Sequence, residues 1–355
     1  MKSGLFLMAG LALMSAFTAC SNDDEMKAVA QAEGTPLVVQ SVGVAEVNTK
    51  AGIRATAFSG SEQIGLFIYA GAKGSMTGDY NTDNSAIPTV NVPYGRNAVG
   101  GEWSAAQPII LSSTNGVVYG YYPYNSDDAY KTPTAIPVTL AADQGSGQSD
   151  GLADNGQTDY MYAVATENVS NSSATISTLT MKHALAMLTF AFKQSDQVND
   201  KYPGEGKVSQ IILKNKSGKS VVKTGAATMD IYSGVITGGS DVVDSDPASI
   251  TVSPNPGKSL LDVTTSLEGT TDDYPFLPRM LVYPNGGVAG DDAELLITVD
   301  SRQYTVPVPA LESTTGWLAG NNYTYTLMLK GTDLVISNVA ISEWVPKEGG
   351  SGVIK

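Results

Sequence analysis

The sequence predicts an all-β protein of two antiparallel β-sandwich domains in tandem, and three observations carry that expectation. Short β-branched or aromatic runs alternate with Gly/Asn/Asp/Ser clusters, and 37 glycines and 17 prolines in 355 residues fit many brief strands joined by loops. No long stretch keeps a helical period. The polar stretch 194–206, which holds Pro203 and two glycines, is the best place for a domain boundary.

The elements follow in order. Met1-Lys2, an apolar run from Leu5 to Phe17 and then Thr18-Ala19-Cys20 give the charged, apolar and small-residue parts of a secretory signal. The run is too short to cross a bilayer, which takes about 20 apolar residues. Residues 1–19 are therefore read as a cleaved lipoprotein signal peptide, with Cys20 as the acylated residue. A plain signal peptide with an accidental cysteine is the alternative. Several acyl chains on one cysteine anchor firmly, because each buried CH₂ contributes about 0.8 kcal/mol. The acidic run Asp23-Asp24-Glu25 resembles the surface-export tag of some Gram-negative lipoproteins.

Expected strands are Leu37–Val47, Gln63–Tyr69, Gly116–Tyr122, Tyr160–Ala165, Leu188–Lys193, Val208–Leu213, Ala293–Val299, Gln303–Val308, Asn322–Lys330 and Leu334–Ile341. In the first of these, Leu37, Val39, Ala45 and Val47 share one face. Thr178–Phe192 is harder, since Met181, Leu185, Leu188 and Phe192 suit a helix face while Thr189-Phe190-Ala191-Phe192 prefers a strand. A strand is expected there.

Composition excludes several functions. A formal net charge of −14 disfavours nucleic acid and anionic headgroups as partners. Cys20 is the single cysteine and His183 the single histidine, so thiol catalysis, a two-histidine metal site and most serine triads lack their parts. No enzymatic activity and no cofactor is expected.

Individual motifs are weak. Gly147-Gln148-Ser149-Asp150-Gly151 matches a nucleophile elbow, but it continues a polar run from Asp143 and is read as a loop. His183 stands among apolar residues with no acid close in sequence, which makes it a structural histidine. Asp241, Asp244, Asp246 and Asp291-Asp292 lack the glycine and terminal glutamate of a calcium loop and are read as solvated. Tyr119, Tyr121, Tyr122 and Tyr124 alternate between the faces of a strand, so two of them belong in a core.

Several segments together resemble the fimbrillin family, the lipoprotein subunits of type V pili. They are Cys20 with its acidic follower, Arg54-Ala55 ahead of Phe58 and Ile64-Gly65-Leu66-Phe67, and Tyr121-Tyr122-Pro123-Tyr124. Further on come Met181-Lys182-His183-Ala184-Leu185-Ala186, Ala319-Gly320 before Tyr323-Thr324-Tyr325, and Ile341-Ser342-Glu343-Trp344.

The resemblance implies two transthyretin-like antiparallel β-sandwich domains, here 55–195 and 196–355, behind a propeptide at 20–54 that carries an N-terminal strand. It also implies delivery by the lipoprotein export machinery and attachment to the outer membrane through lipid. An arginine-specific protease then cuts Arg54-Ala55, and the vacated groove takes a strand from another pilin subunit, in a fimbrium on the extracellular face of a Gram-negative cell. Leu334, Ile336, Val339 and Ile341 mark the expected donor strand, ahead of Trp344-Val345-Pro346 and the Gly349-Gly350-Ser351-Gly352 hinge. An empty groove that forgoes about three large apolar side chains loses roughly 5 to 9 kcal/mol, which an incoming strand restores. The competing expectation is an anchored surface lipoprotein that binds carbohydrate through Tyr122 or Trp103.

Overall fold

The computed structural model describes residues 34–44, 58, 62–76, 78–80, 88–96, 102–148, 158–243, 245–254, 259–262, 277–286, 288, 292–311 and 316–343. Among them the regular structure is strand, with two short 3₁₀ turns at Asp128–Lys131 and Val198–Asp200. The all-β class stands as the sequence predicts.

One large sheet is built around the hairpin-like pairing of Gln63–Ala70 with Gly116–Tyr122, which runs in register from Gly65↔Tyr121 to Ala70↔Gly116. The strands Val92–Arg96, Trp103–Ser104, Met161–Ala163 and Leu179–His183 extend it on either side. A five-stranded sheet and a four-stranded sheet hold most of the later chain. The first of these orders Asp143–Gln148, Ser249–Pro254, Val208–Asn215, Ala293–Val299 and Arg302–Pro307. The second orders Arg279–Val282, Ala186–Gln194, Asn321–Lys330 and Asp333–Glu343.

Alternation sorts the side chains into two apolar clusters. Leu66, Ile68, Val118 and Tyr122 face one cluster, together with Tyr94, Trp103, Met161 and Leu179. Phe67, Tyr69, Tyr119 and Tyr121 face the other, which also holds Ile211, Phe190, Trp317, Tyr323 and Tyr325. The central strands of the large sheet are thus covered on both faces, which accounts for the unbroken burial of Gly116–Tyr122. Three of the four clustered tyrosines are in a core, one more than alternation alone promised.

Three expectations change. Thr178–Phe192 is extended but broken: Leu179–His183 lies in the large sheet, Ala186–Gln194 lies in the four-stranded one, and the chain crosses between them at Ala184-Leu185. The expected strand Leu37–Val47 divides into Val38–Val39 and Val42–Val44, with Ala45 and Val47 outside the described residues. Asp143–Gln148 is a strand rather than a loop, parallel to Ser249–Pro254. Its anchor is buried Gln144, whose amide donates to the Leu281 carbonyl at 2.7 Å and accepts from the Leu281 N–H at 2.7 Å. That side chain satisfies the Leu281 backbone as a neighbouring strand would, so a polar sequence is held extended. Ser149, Asp150 and Gly151 lie outside the described residues.

Candidate assembly interface

The segment from Thr35 to Val44 is threaded through the large sheet. Val38–Val39 runs parallel to Thr175–Ile176 and pairs on its other side with Trp103. Val42–Val44 runs parallel to Leu179–His183, and Thr35–Pro36 pairs with Ile110–Leu111. The Leu37 N–H donates to the Ile109 carbonyl at 2.8 Å, the Val38 N–H to Ala174 at 2.9 Å and the Gln40 N–H to Ile176 at 2.9 Å. The Ser41 carbonyl accepts from the Leu179 N–H at 2.9 Å, and the Ser41 hydroxyl donates to the Ser177 carbonyl at 2.7 Å.

Apolar packing matches the bonding. Leu37 and Val39 are 2% and 0% exposed, against Phe58, Tyr94 and Trp103. Phe58 meets Trp103 and Tyr122 edge-on at 5.2 Å in each case. The Tyr94 hydroxyl sits at the centre, donating to the Leu37 carbonyl at 3.2 Å and accepting from the Ile109 N–H at 3.1 Å. Burial pushes this phenol's pKa well above the ordinary tyrosine range, although the Ile109 N–H pulls the other way. Trp103 and Tyr122 are both in the core, so neither offers an open face for stacking on a sugar ring.

At the other end of the chain, Asp333–Glu343 pairs along its length with Asn321–Lys330 and is the outermost strand of its sheet. Ser337 is an extra residue: Thr326 opposes Asn338 while the next residue, Leu327, opposes Ile336. The Ser337 hydroxyl donates to the Thr326 carbonyl at 3.1 Å. This bulge brings Leu334, Ile336, Val339 and Ile341 opposite Leu329, Leu327, Tyr325 and Tyr323, four inward residues. Cover falls off along the strand, from Leu334 at 7% exposed to Ile341 at 49%. The expected donor residues therefore share one face, and that face is half open at its C-terminal end.

Cys20, Arg54 and Ala55 lie outside the described residues. His183 gains a partner that sequence distance hid: its Nδ1 is 3.0 Å from Oδ1 and 2.9 Å from Oδ2 of Asp159, both side chains being buried. Antiparallel pairing of Met161 with His183 brings the two together, and the Ala184 N–H donates to the Tyr160 carbonyl at 2.8 Å beside them. The pair sits where the chain crosses between sheets, so its place is structural. Asp292 is buried and paired with Lys219 at 2.6 Å, not solvated. Asp241 is half-buried and Asp246 exposed, while Asp244 and Asp291 lie outside the described residues.

Among solved structures, a candidate cell adhesion protein of Bacteroides ovatus aligns over 89% of this chain and 99% of its own, at 16% identity and a TM-score of 0.59. A candidate cell adhesion protein of Bacteroides uniformis aligns over 87% of this chain and 99% of its own, at 15% identity and a TM-score of 0.54. At such identities the likeness is one of fold. No curated protein matches the sequence. The profile of the fimbrillin-like family matches residues 49–344, most of the chain, and the protein belongs to that family.

Proposed function

We propose that the chain is a structural subunit of a cell-surface pilus, without catalysis, that serves adhesion by forming a fibre. It is exported as a lipoprotein on Cys20, held at the outer membrane, and matured by an arginine-specific protease at Arg54-Ala55. It then polymerises by strand exchange with other pilin subunits. In this reading 20–54 is a propeptide, and 55–195 and 196–355 are the two sandwich domains.

The observation that carries the reading is the threaded segment Thr35–Val44. Withdrawing it leaves the carbonyls of Ile109, Ala174 and Ile176 and the N–H of Leu179 without these partners. It also opens the sites of Leu37 and Val39 against Trp103 and Phe58. A groove with that backbone pattern and an apolar floor is what an incoming strand completes. The proposed donor is Leu334–Ile341, which is held along one edge only and presents Leu334, Ile336, Val339 and Ile341 together.

The experiment is direct. Purified precursor treated with an arginine-specific protease should lose residues 20–54 and give a ladder of oligomers on a gel, and Arg54→Ala should block both. A clean cut that leaves only monomers across conditions would refute strand exchange. A membrane-released product beginning at residue 55 in mass spectrometry would support maturation, whereas a mature protein that keeps acylated Cys20 would count against it.

A further inference from the structure

One sequence pattern occurs twice in the chain. Leu37-Val38-Val39-Gln40-Ser41-Val42-Gly43-Val44, in the threaded segment, aligns without a gap to Leu334-Val335-Ile336-Ser337-Asn338-Val339-Ala340-Ile341 in the outermost strand. Leu-Val leads both, a polar pair stands in the middle of both, and the apolar differences are Val to Ile and Gly to Ala.

Burial follows the pattern. Leu37, Val39, Val42 and Val44 pack into the apolar cluster of Tyr94 and Trp103, while Gln40 and Ser41 are exposed. Leu334, Ile336, Val339 and Ile341 stand opposite inward residues of their own sheet, while Ser337 and Asn338 are exposed. Both sets are therefore spaced by two, three and two residues, where an unbroken strand keeps two throughout. The wall of the groove carries the same step. Val39 pairs with Ile176, Val42 with Leu179 and Val44 with Met181, so Ser177 and Thr178 stand beside Gln40 and Ser41.

The later sequence fits this wall position by position. Leu334 repeats Leu37 and Val339 repeats Val42. A Cβ on Gly43 would lie 3.5 Å from the Thr178 Cγ2, an ordinary contact, so the methyl of Ala340 has room. Val44 is half-buried and leaves space for Ile341. The tight place is Val39, 0% exposed, where Ile336 brings one methylene more. The Ser41 hydroxyl donates to the Ser177 carbonyl at 2.7 Å, and the amide of Asn338 supplies a donor for the same carbonyl.

Resting on the strand exchange proposed above, we infer that the groove's partner is a second copy of this chain, whose residues 334–341 enter in one register and one direction. Leu334 takes the place of Leu37, Ile336 of Val39, Val339 of Val42 and Ile341 of Val44, running parallel to Leu179–His183 as the threaded segment does. Spacing alone reads the same in both directions, and residue identity decides between them. Forwards, Leu334 meets the leucine site and Ala340 the glycine site; reversed, Val335 falls at Gly43 and Leu334 at Val44.

Two measurements test this, and the first needs no polymer. A full chain carrying Val39→Ile, Gln40→Ser, Ser41→Asn, Gly43→Ala and Val44→Ile holds the donor sequence in its own groove. Its urea midpoint should stay within about 0.5 M of the native one. The donor sequence entered one residue out of step, with Val39→Ser, Ser41→Val, Val42→Ala and Val44→Ser among its changes, should lower the midpoint by about 1 M or more. Equal losses in the two chains, or failure of the five-substitution chain to fold, overturn the register. The second measurement reads the polymer. Gly43 pairs with Thr180 and Val38 with Thr175, so Ala340 belongs beside Thr180. After the Arg54 cut, Thr180→Cys with Ala340→Cys should give a ladder that survives denaturation without reductant, and Thr175→Cys with Ala340→Cys should not. The reverse result overturns the direction, and a ladder locked by neither pair overturns the register while strand exchange stands. A cut chain that stays monomeric, with the five-substitution chain at the native midpoint, refutes strand exchange instead, and the assignment of a second copy falls with it.

Discussion

The segment Thr35–Val44 and the strand Asp333–Glu343 are both short extended stretches near the ends of the described chain, yet they are held in opposite ways. The first is bonded on both sides at Val38–Val39 and buries Leu37 and Val39 beside Trp103. The second is bonded along one edge, and exposure of its inward face rises to 49% at Ile341. Bonding on two edges makes removal costly and leaves a defined vacancy. Bonding on one edge leaves the strand's other edge without a ladder partner among the described residues, although its departure would uncover the apolar face that Leu334, Ile336 and Val339 help to close. The contrast suits a molecule in which one strand is a plug and the other is available to leave.

Matched substitutions can break or sharpen that contrast. Leu37→Ala should have the largest effect, about 3 kcal/mol of destabilisation in urea unfolding, because a fully enclosed site cannot collapse around the cavity. Leu334→Ala, buried but at a sheet margin, should cost about 2 kcal/mol. If it costs as much as Leu37→Ala, the two ends are equally fixed and the contrast is lost. Tyr94→Phe should cost about 1 to 2 kcal/mol by stranding the Leu37 carbonyl and the Ile109 N–H. That loss should shrink in a chain cut at Arg54 and emptied of its N-terminal segment, where only the Ile109 N–H still bonds to Tyr94, which sharpens the assignment of Tyr94 to the plug. Ile341→Ala should be smallest, under about 1 kcal/mol, since half of that side chain already meets water. A drop of 2 kcal/mol or more would mean that something covers Ile341.

Much of this was legible in the sequence because β-structure writes itself at period two. Leu37 and Val39 on one face, Tyr119 and Tyr121 on another, and the run Asn322–Lys330 all follow from alternation and appear in the fold. Partners distant in sequence did not. Nothing near His183 announces Asp159, and nothing around Gln144 announces Leu281, 137 residues away. Asp143–Gln148 was misread as a loop because its stability comes from that amide rather than from its own apolar residues. Arg279 gave no signal either, since a buried arginine looks in sequence like any surface one.

The extra residue at Ser337 acts as a phase marker in the hairpin. Before it the inward positions are even-numbered, Leu334 and Ile336; after it they are odd-numbered, Val339 and Ile341. A strand without such a step matches one half of that pattern and turns its other half outward. Any groove that receives this strand must carry a complementary break at one place. In the strand exchange proposed above, recognition between subunits would come down to counting: a slip by a single residue misplaces all four side chains, so the bulge would admit one register and refuse its neighbours.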